Sequence, residues 1–345
     1  MSMRAKLKDI ALAAGVSPAT VSRALSDSEL VAEPTRSRIR ETAARLNYRP
    51  NVSARNLRTQ RSMSVLLVVR DVGNPFYLEI LKGVESTARA AGYSVLMGNT
   101  ENSAERETEY FNMLRDGHAD GMILMTGKLP EDPDIAALVA ELPVVVALEP
   151  IEGAGFPHVM IDNVAAARAA VEHLVRLGHR RIAHIAGPIP EIMATRRREG
   201  FHQAMAAHGF AVPHGHDLVG DYLLKTGAEL CGRIMDAAPA PTAIFVANDE
   251  MAFGAIAELR RRGLSVPEDV SVVGFDDLFL SQAFHPPLTT VSQPRSAIGQ
   301  EAMRMLLARF SGERQAGRVL EMPTRLEIRG STAACPAEAL QSQTA

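Results

Sequence analysis

Only two cysteines occur in the 345 residues, Cys231 and Cys335, far apart and in no CxxC pattern. That excludes a disulfide framework and fits reduced thiols in a cytosolic protein. No apolar run is long enough to span a bilayer, so no membrane partner is expected. The first ten residues, MSMRAKLKDI, lack the apolar core of a secretory signal. Enzyme signatures are also missing. There is no GxSxG, and Gly121…Gly127-Lys128 has the wrong spacing for a P-loop and no following Ser or Thr. His214-Gly215-His216 has no cysteine nearby and reads as incidental rather than as a metal site. No catalytic residue, metal or cofactor is expected.

The net charge of −3 conceals an asymmetry. Residues 1–61 hold twelve Lys and Arg against five Asp and Glu, a balance of +7. The remainder holds twenty-five against thirty-five, a balance of −10. A basic head on an acidic body points to a polyanion for the head.

That head contains KDIALAAGVSPATVSRAL, Lys8 to Leu25. Ile10, Ala11, Ala14, Val16, Val21 and Leu25 recur at the spacing of two short helices sharing one core. Gly15 suits the end of the first helix, Ser17 caps the second, and Pro18 takes its first position. Ala19, Thr20, Ser22 and Arg23 then face outward, small or hydrogen-bonding, as a major-groove helix requires. An ordinary helical hairpin shows the same periodicity, but the coincidence with the basic head favours a helix-turn-helix. A third helix is expected over Glu33–Leu46, opened by Pro34. Asn51 to Arg58 is too short to be a stable helix alone. A plain linker is one reading. The other is a segment that folds on DNA, with Asn51, Ala54, Arg55 and Arg58 in contact and Leu57 wedged between base steps.

From Ser64 the pattern changes to alternating apolar runs and helical stretches, which predicts a parallel sheet flanked by helices. Strands are expected at Val65–Val69, Ser94–Met97, Gly121–Met125, Pro143–Leu148 and Val159–Ile161. The alternation then repeats, with strands at Ile182–Ile185, Leu218–Val219, Ala243–Val246 and Ser271–Gly274. The expected helices include Ala165–Leu177 and Arg197–His208. Two α/β lobes in tandem leave a cleft, and loops at strand C-termini face it. Asn74-Pro75-Phe76-Tyr77 is such a loop, and one of its two rings is expected in the cleft, the other in the core.

The order KLKDIALAAGVSPATVSRAL, TRSRIRETAARLNYRPN, SARNLR resembles the lactose-repressor (LacI/GalR) family of bacterial transcription regulators, and the likeness runs to about Gly330-Ser331. It implies an α/β fold class: an N-terminal helix-turn-helix head plus a two-lobed periplasmic-binding-protein-like core with parallel sheets. The implied organisation is a head at 1–50, a hinge at 51–62, an effector-binding and dimerising body at 63–332 and a disordered tail at 333–345. Three crossings between lobes are implied near Asp162-Asn163, Ser292-Gln293 and Pro323-Thr324, with Ile298–Phe310 returning to the first lobe. The implied partners are a palindromic double-stranded DNA operator, a sugar or nucleoside effector and a second copy of the chain. Within the head, Ser17, Pro18, Ala19, Thr20, Ser22 and Arg23 become DNA-binding positions. In the body, Arg197 matches the family's Arg-x-x-Gly-aromatic effector arginine, and Asp276 its hydroxyl-binding Asp. Asn248 becomes a supporting donor, and Phe76 or Tyr77 a stacking ring. Met125 and Met193 depart from the family's pattern. IAGP at 185–188, PPLTTVSQPR at 286–295 and IGQEAM at 298–303 are closest to the cytidine-repressor branch, which implies a nucleoside or pentose-containing effector. A sugar- or nucleoside-binding protein or enzyme with a similar body is the competing class; it offers no role for the basic head.

Overall fold

The computed structural model describes residues 5–25, 30–48, 61–138, 141–151, 153–313, 315 and 317–336. The chain divides into two compact units at Arg61/Ser62.

The first unit is helical. Helices α1 (Leu7–Ala14), α2 (Pro18–Leu25) and α3 (Glu33–Arg45) enclose Ile10, Ala14, Val21, Ala24, Val31, Ile39 and Ala43. Gly15 ends α1 in the left-handed region at φ 64°, where a side chain would be strained. The Ser17 hydroxyl accepts from the Thr20 amide at 3.1 Å and pairs with the Thr20 hydroxyl at 2.8 Å. The hairpin is thus closed by the capping chemistry its sequence predicts.

The second unit holds two six-stranded sheets. The first is built from β1 (Ser64–Val69), β2 (Ser94–Asn99), β3 (Gly121–Leu124), β4 (Val144–Ala147), β5 (His158–Ile161) and β11 (Val319–Met322), in the order β2-β1-β3-β4-β5-β11. The second is built from β6 (Ile182–Ala186), β7 (Asp217–Val219), β8 (Ala243–Val246), β9 (Ser271–Asp276), β10 (Thr289–Ser292) and β12 (Arg325–Glu327), in the order β7-β6-β8-β9-β10-β12. Pairing is parallel except for β10 with β12. Along β1 the side chains alternate between two cores: Val65, Leu67 and Val69 on one face, Leu66 and Val68 on the other. A strand buried on both faces reads as an unbroken apolar run, which is why it was legible.

The first lobe carries α4 (Phe76–Ala90), α5 (Ala104–Arg115), α6 (Pro133–Leu138) and α11 (Arg295–Phe310). The second carries α7 (Asn163–Arg176), α8 (Ile192–Ala207), α9 (Leu224–Asp236) and α10 (Asp249–Arg261). The chain passes between sheets at Asp162, at Gln293-Pro294 and at Pro323-Thr324. These are the three expected crossings, and α11 packs on the first lobe as expected. The short strands β10, β11 and β12 were not foreseen. Helix α8 begins five residues before the expected Arg197, because Ile192–Arg196 lacks apolar periodicity. The expected tail starts inside packed structure. The Ala333 carbonyl meets His179 Nε2 at 3.1 Å, and the Cys335 amide donates to the Leu177 carbonyl at 2.8 Å; residues 337–345 lie outside the described residues.

Each lobe is stiffened by helices that touch through glycine. In the first lobe, a Cβ on Gly83 of α4 would fall 2.0 Å from the Ser296 carbonyl oxygen, and one on Gly299 of α11 would fall 2.1 Å from that of Ile80. In the second, Gly227 and Gly254 do the same between α9 and α10. Backbone meets backbone there, so no rotamer change relieves a new methyl group. Gly299→Ala is expected to cost about 1–3 kcal/mol through overpacking. Urea unfolding at constant m-value checks this.

Candidate functional site

Between the lobes lies a cavity of about 720 Å³. Phe76, Tyr77, Arg197, Asn248 and Asp276, all singled out from sequence, line it. They arrive from the N-terminus of α4, the middle of α8 and the C-terminal ends of β8 and β9, the edge at which parallel sheets present ligand-binding loops.

Arg197 is 2% exposed. Its Nε donates to Asn163 Oδ1 at 2.9 Å, and Nη1 donates to the Ala247 carbonyl at 2.6 Å and faces Asp276 Oδ1 at 3.5 Å. The guanidinium lies 3.7 Å from the centroid of the Phe275 ring, a cation–π arrangement. Asp276 Oδ1 also accepts from Gln293 Nε2 at 2.7 Å. Asn163 and Gln293 both belong to crossings, so one buried ion pair ties the cavity wall to two of the three passages between lobes. Asp276 holds φ 113° and Asp277 φ 53°; such backbone costs of order 1–3 kcal/mol per residue and persists where neighbours over-determine it. Burial raises the Asp276 carboxyl to about 6, against the pull of Arg197 and Arg295.

One expectation needs correction. Both rings of the Phe76-Tyr77 pair line the cavity, where one was expected to face away. They meet edge-on at 5.5 Å, and Arg295 sits 5.9 Å over Phe76. Asn248, expected as a supporting donor, lines the cavity and also caps α10: its Oδ1 accepts from the Met251 amide at 3.0 Å and its Nδ2 donates to the Tyr222 carbonyl at 3.0 Å. Asp249 beside it is a buried structural acceptor for the Leu278 amide and the Ser281 and Thr290 hydroxyls. Asp277 pairs with Arg329 at 2.7 Å. Of the two departures from the family's pattern, Met193 lines the cavity and Met125 is in the core.

Sequence reasoning missed Arg70, Glu149, Glu191 and Tyr222. Arg70 ends β1, is 8% exposed and forms ion pairs with Glu149 of its own lobe and Glu191 of the other. Its Nη2 also donates to the Thr126 carbonyl at 3.1 Å. Burial pushes Glu149 up to about 7 despite the guanidinium beside it, and raises Glu191 too. A signal existed: Arg70 and Glu149 each directly follow an apolar strand run, the same clue that marked Asp276.

In the head, Ser17, Pro18, Ala19 and Arg23 are exposed, and Thr20 and Ser22 half-buried, around the exposed side of α2. Asn51, Ala54, Arg55, Leu57 and Arg58 lie outside the described residues. Among the described residues no cluster of His, Cys, Asp and Glu is arranged to hold a metal, and no helix is long and apolar enough to cross a membrane.

Residues 6–51 match the family described as bacterial regulatory proteins, lacI family, and residues 171–332 match the periplasmic binding protein-like domain. The transcriptional repressor CytR of Escherichia coli K12 is 39% identical over 332 residues, covering 96% of this chain and 97% of its own. The lac repressor dimer bound to operator and the anti-inducer ONPF superimposes with a TM-score of 0.85 at 29% identity, over 96% of this chain and 100% of that one. A complex of the transcriptional regulator CelR with cellobiose gives 0.71 at 32% identity, over 95% and 100%. A helix-turn-helix head, a two-lobed parallel α/β body and full-length relatives of this kind place the chain in the lacI family of bacterial regulatory proteins, as a DNA-binding transcriptional regulator.

Proposed function

We propose that this regulator is a repressor whose operator affinity is set by a sugar or nucleoside held between its lobes, with a nucleoside favoured by the wording of the body. The observation that carries the reading is the convergence of Arg197, Asp276 and the Phe76-Tyr77 rings on one cavity. The two rings, set edge to face, offer an apolar corner, and the Asp276 carboxylate an acceptor for ligand hydroxyls. Arg197 acts chiefly by holding Asp276. A ligand bound there shifts the lobe equilibrium by its differential affinity for the two arrangements. Its release or promotion of operator binding is read in the same titration.

Alanine is a poor test of Asp276, because it removes the acceptor of Arg197 and Gln293 along with the charge. Asp276→Asn keeps the shape. It is expected to abolish the effector-dependent shift in operator affinity while the chain stays folded by circular dichroism; a wild-type calorimetric titration in that variant defeats the reading. The sign of the pH dependence follows from the raised carboxyl. Ligand hydroxyls prefer the ionised form, so affinity rises as pH climbs through about 6 and then levels. Between pH 7.5 and 5 it falls about tenfold as the carboxylate takes up its proton, and Asp276→Asn flattens the profile.

In the head, Arg23 is placed to offer guanine a bidentate pair, worth roughly 1–3 kcal/mol of discrimination. Ser17, Pro18, Ala19, Thr20 and Ser22 form the surface around it, and Asn51, Ala54, Arg55 and Arg58 add backbone contacts. Leu57 opens the minor groove. Arg23→Ala is expected to erase operator preference, and Leu57→Ser to weaken specific binding while non-specific binding persists. Gel shifts against operator and random duplex separate the two; equal losses on both duplexes reduce Leu57 to packing.

The division into head 1–50, hinge 51–62 and body 63–332 belongs to this proposal, as do the homodimer and a palindromic operator. Exposed apolar side chains support the dimer: Leu96 and Met97 on edge strand β2, and Phe279 and Leu280, 78% and 55% exposed, on the second lobe. Phe279→Asp with Leu280→Asp is expected to give monomers in sedimentation at micromolar protein, where the wild type is a dimer.

A further inference from the structure

The wall of the interlobe cavity carries six carboxylates, Asp71, Glu101, Glu191, Asp221, Glu250 and Asp276, against two arginines, Arg70 and Arg197, with no lysine or histidine. Both arginines are already engaged. Arg197 donates from Nε to Asn163 and from Nη1 to the Ala247 carbonyl, and Nη1 faces the Asp276 carboxylate. Arg70 spends its own on Glu149, Glu191 and the Thr126 carbonyl. Glu149 is 2% exposed and faces the same guanidinium as Glu191.

The carboxylates come from both lobes. Asp71 and Glu101 belong to the first; Glu191, Asp221, Glu250 and Asp276 belong to the second. Asp71 and Asp221 both act on the Glu250 carboxyl, adding to the burial that raises it. Bringing the lobes together therefore concentrates negative charge around the ligand. A phosphate or carboxylate ligand needs guanidinium or ammonium groups free to surround it. In this cleft each guanidinium is already paired with a carboxylate, and a neutral ligand rich in hydroxyl and amino donors matches the surrounding carboxylates instead.

We infer that the cleft takes an effector without an anionic group, a free nucleoside or sugar rather than its phosphate ester, and that Glu149 and Glu191 are specificity-determining residues which deny the Arg70 guanidinium to phosphate. The inference rests on the reading of this cavity as the effector site. Each carboxylate holds one side of the same planar fork. Without them Arg70 is a buried bidentate donor at the end of a strand, the kind of group that binds phosphate well.

The test uses the full chain at pH 8, where Glu149 is ionised, and isothermal titration with cytidine, uridine, adenosine and ribose, each paired with its 5′-phosphate. The wild type is expected to bind at least one neutral compound, and its phosphate at least a hundredfold more weakly. Glu149→Gln with Glu191→Gln is expected to narrow that ratio at least tenfold. Adding Arg70→Gln is expected to restore the discrimination, since the released cation is gone. Glu191 is the more exposed of the two, so Glu191→Gln alone serves if the double variant fails to fold; it is expected to narrow the ratio in the same direction. A wild type that binds a phosphate as tightly as its parent compound overturns the inference, as does a ratio unchanged by these variants. If phosphates bind and neutral compounds do not, only the charge inference falls. If nothing in either series binds, the reading of the cavity as a nucleoside or sugar site falls with it.

Discussion

The body of this protein depends on one buried ion pair. Arg197 and Asp276 are 2% and 5% exposed, and each offsets the cost of burying the other. Their mutual need fixes much else. Arg197 reaches across to Asn163 and to the end of β8, and Asp276 takes Gln293. The ends of two central strands, one helix and two interlobe passages are thereby held at a single point. The unusual backbone at Asp276 and Asp277 is affordable because Gln293 on one side and Arg295, donating to the Asp277 carbonyl at 2.6 Å, on the other leave the segment no alternative. What faces the cavity is therefore not a set of independent side chains but one rigid polar cluster with the Phe76 and Tyr77 rings opposite.

The second lobe-to-lobe link is of another kind. Arg70 and Glu191 join the lobes across the cavity rather than beside it. A pair of this sort adds little net stability when its charges must be desolvated. Its consequence lies in the geometry: an arrangement in which Arg70 reaches Glu191 differs from one in which it does not, and only a ligand with unequal affinity for the two changes the balance. Arg70 keeps Glu149 in either case, so opening the cleft does not strand an unpaired guanidinium. That lowers the cost of opening and leaves room for a ligand of modest affinity to bias the equilibrium.

The fold was legible because its elements bury whole faces. β1, β3, β4 and β8 are apolar on both sides, and the family likeness placed the three crossings at residues where the chain changes sheets. The missed strands β10 and β12 are held by pairing rather than composition: Thr289, Thr290 and Ser292 carry no apolar run, and β12 is three residues long. At the site, the family's Arg-x-x-Gly-aromatic pattern pointed to Arg197 and its strand-end Asp to Asp276, while residue type and position after a strand pointed to Asn248; all three line the cavity. Residue type and position could not distinguish an asparagine that caps a helix from one that meets a ligand, since both jobs use the same amide at the same strand end. Asn248 lines the cavity and is a cap as well. Arg70, Glu149 and Glu191 were illegible as a group because they lie far apart in sequence and have meaning only when two lobes face each other.

The stiffness of the lobes decides where motion is possible. Helix pairs joined through Gly83 and Gly299, and through Gly227 and Gly254, have backbones in contact and little freedom to slide. The passages at Asp162, Gln293-Pro294 and Pro323-Thr324 are only one or two residues long, and two of them are bonded to the polar cluster through Asn163 and Gln293. A displacement of Asp276 would therefore be felt at Gln293 and, through Arg197, at Asn163, beside two of the passages. The coupling needs no long pathway through the core, because the hinge and one wall of the cavity share side chains.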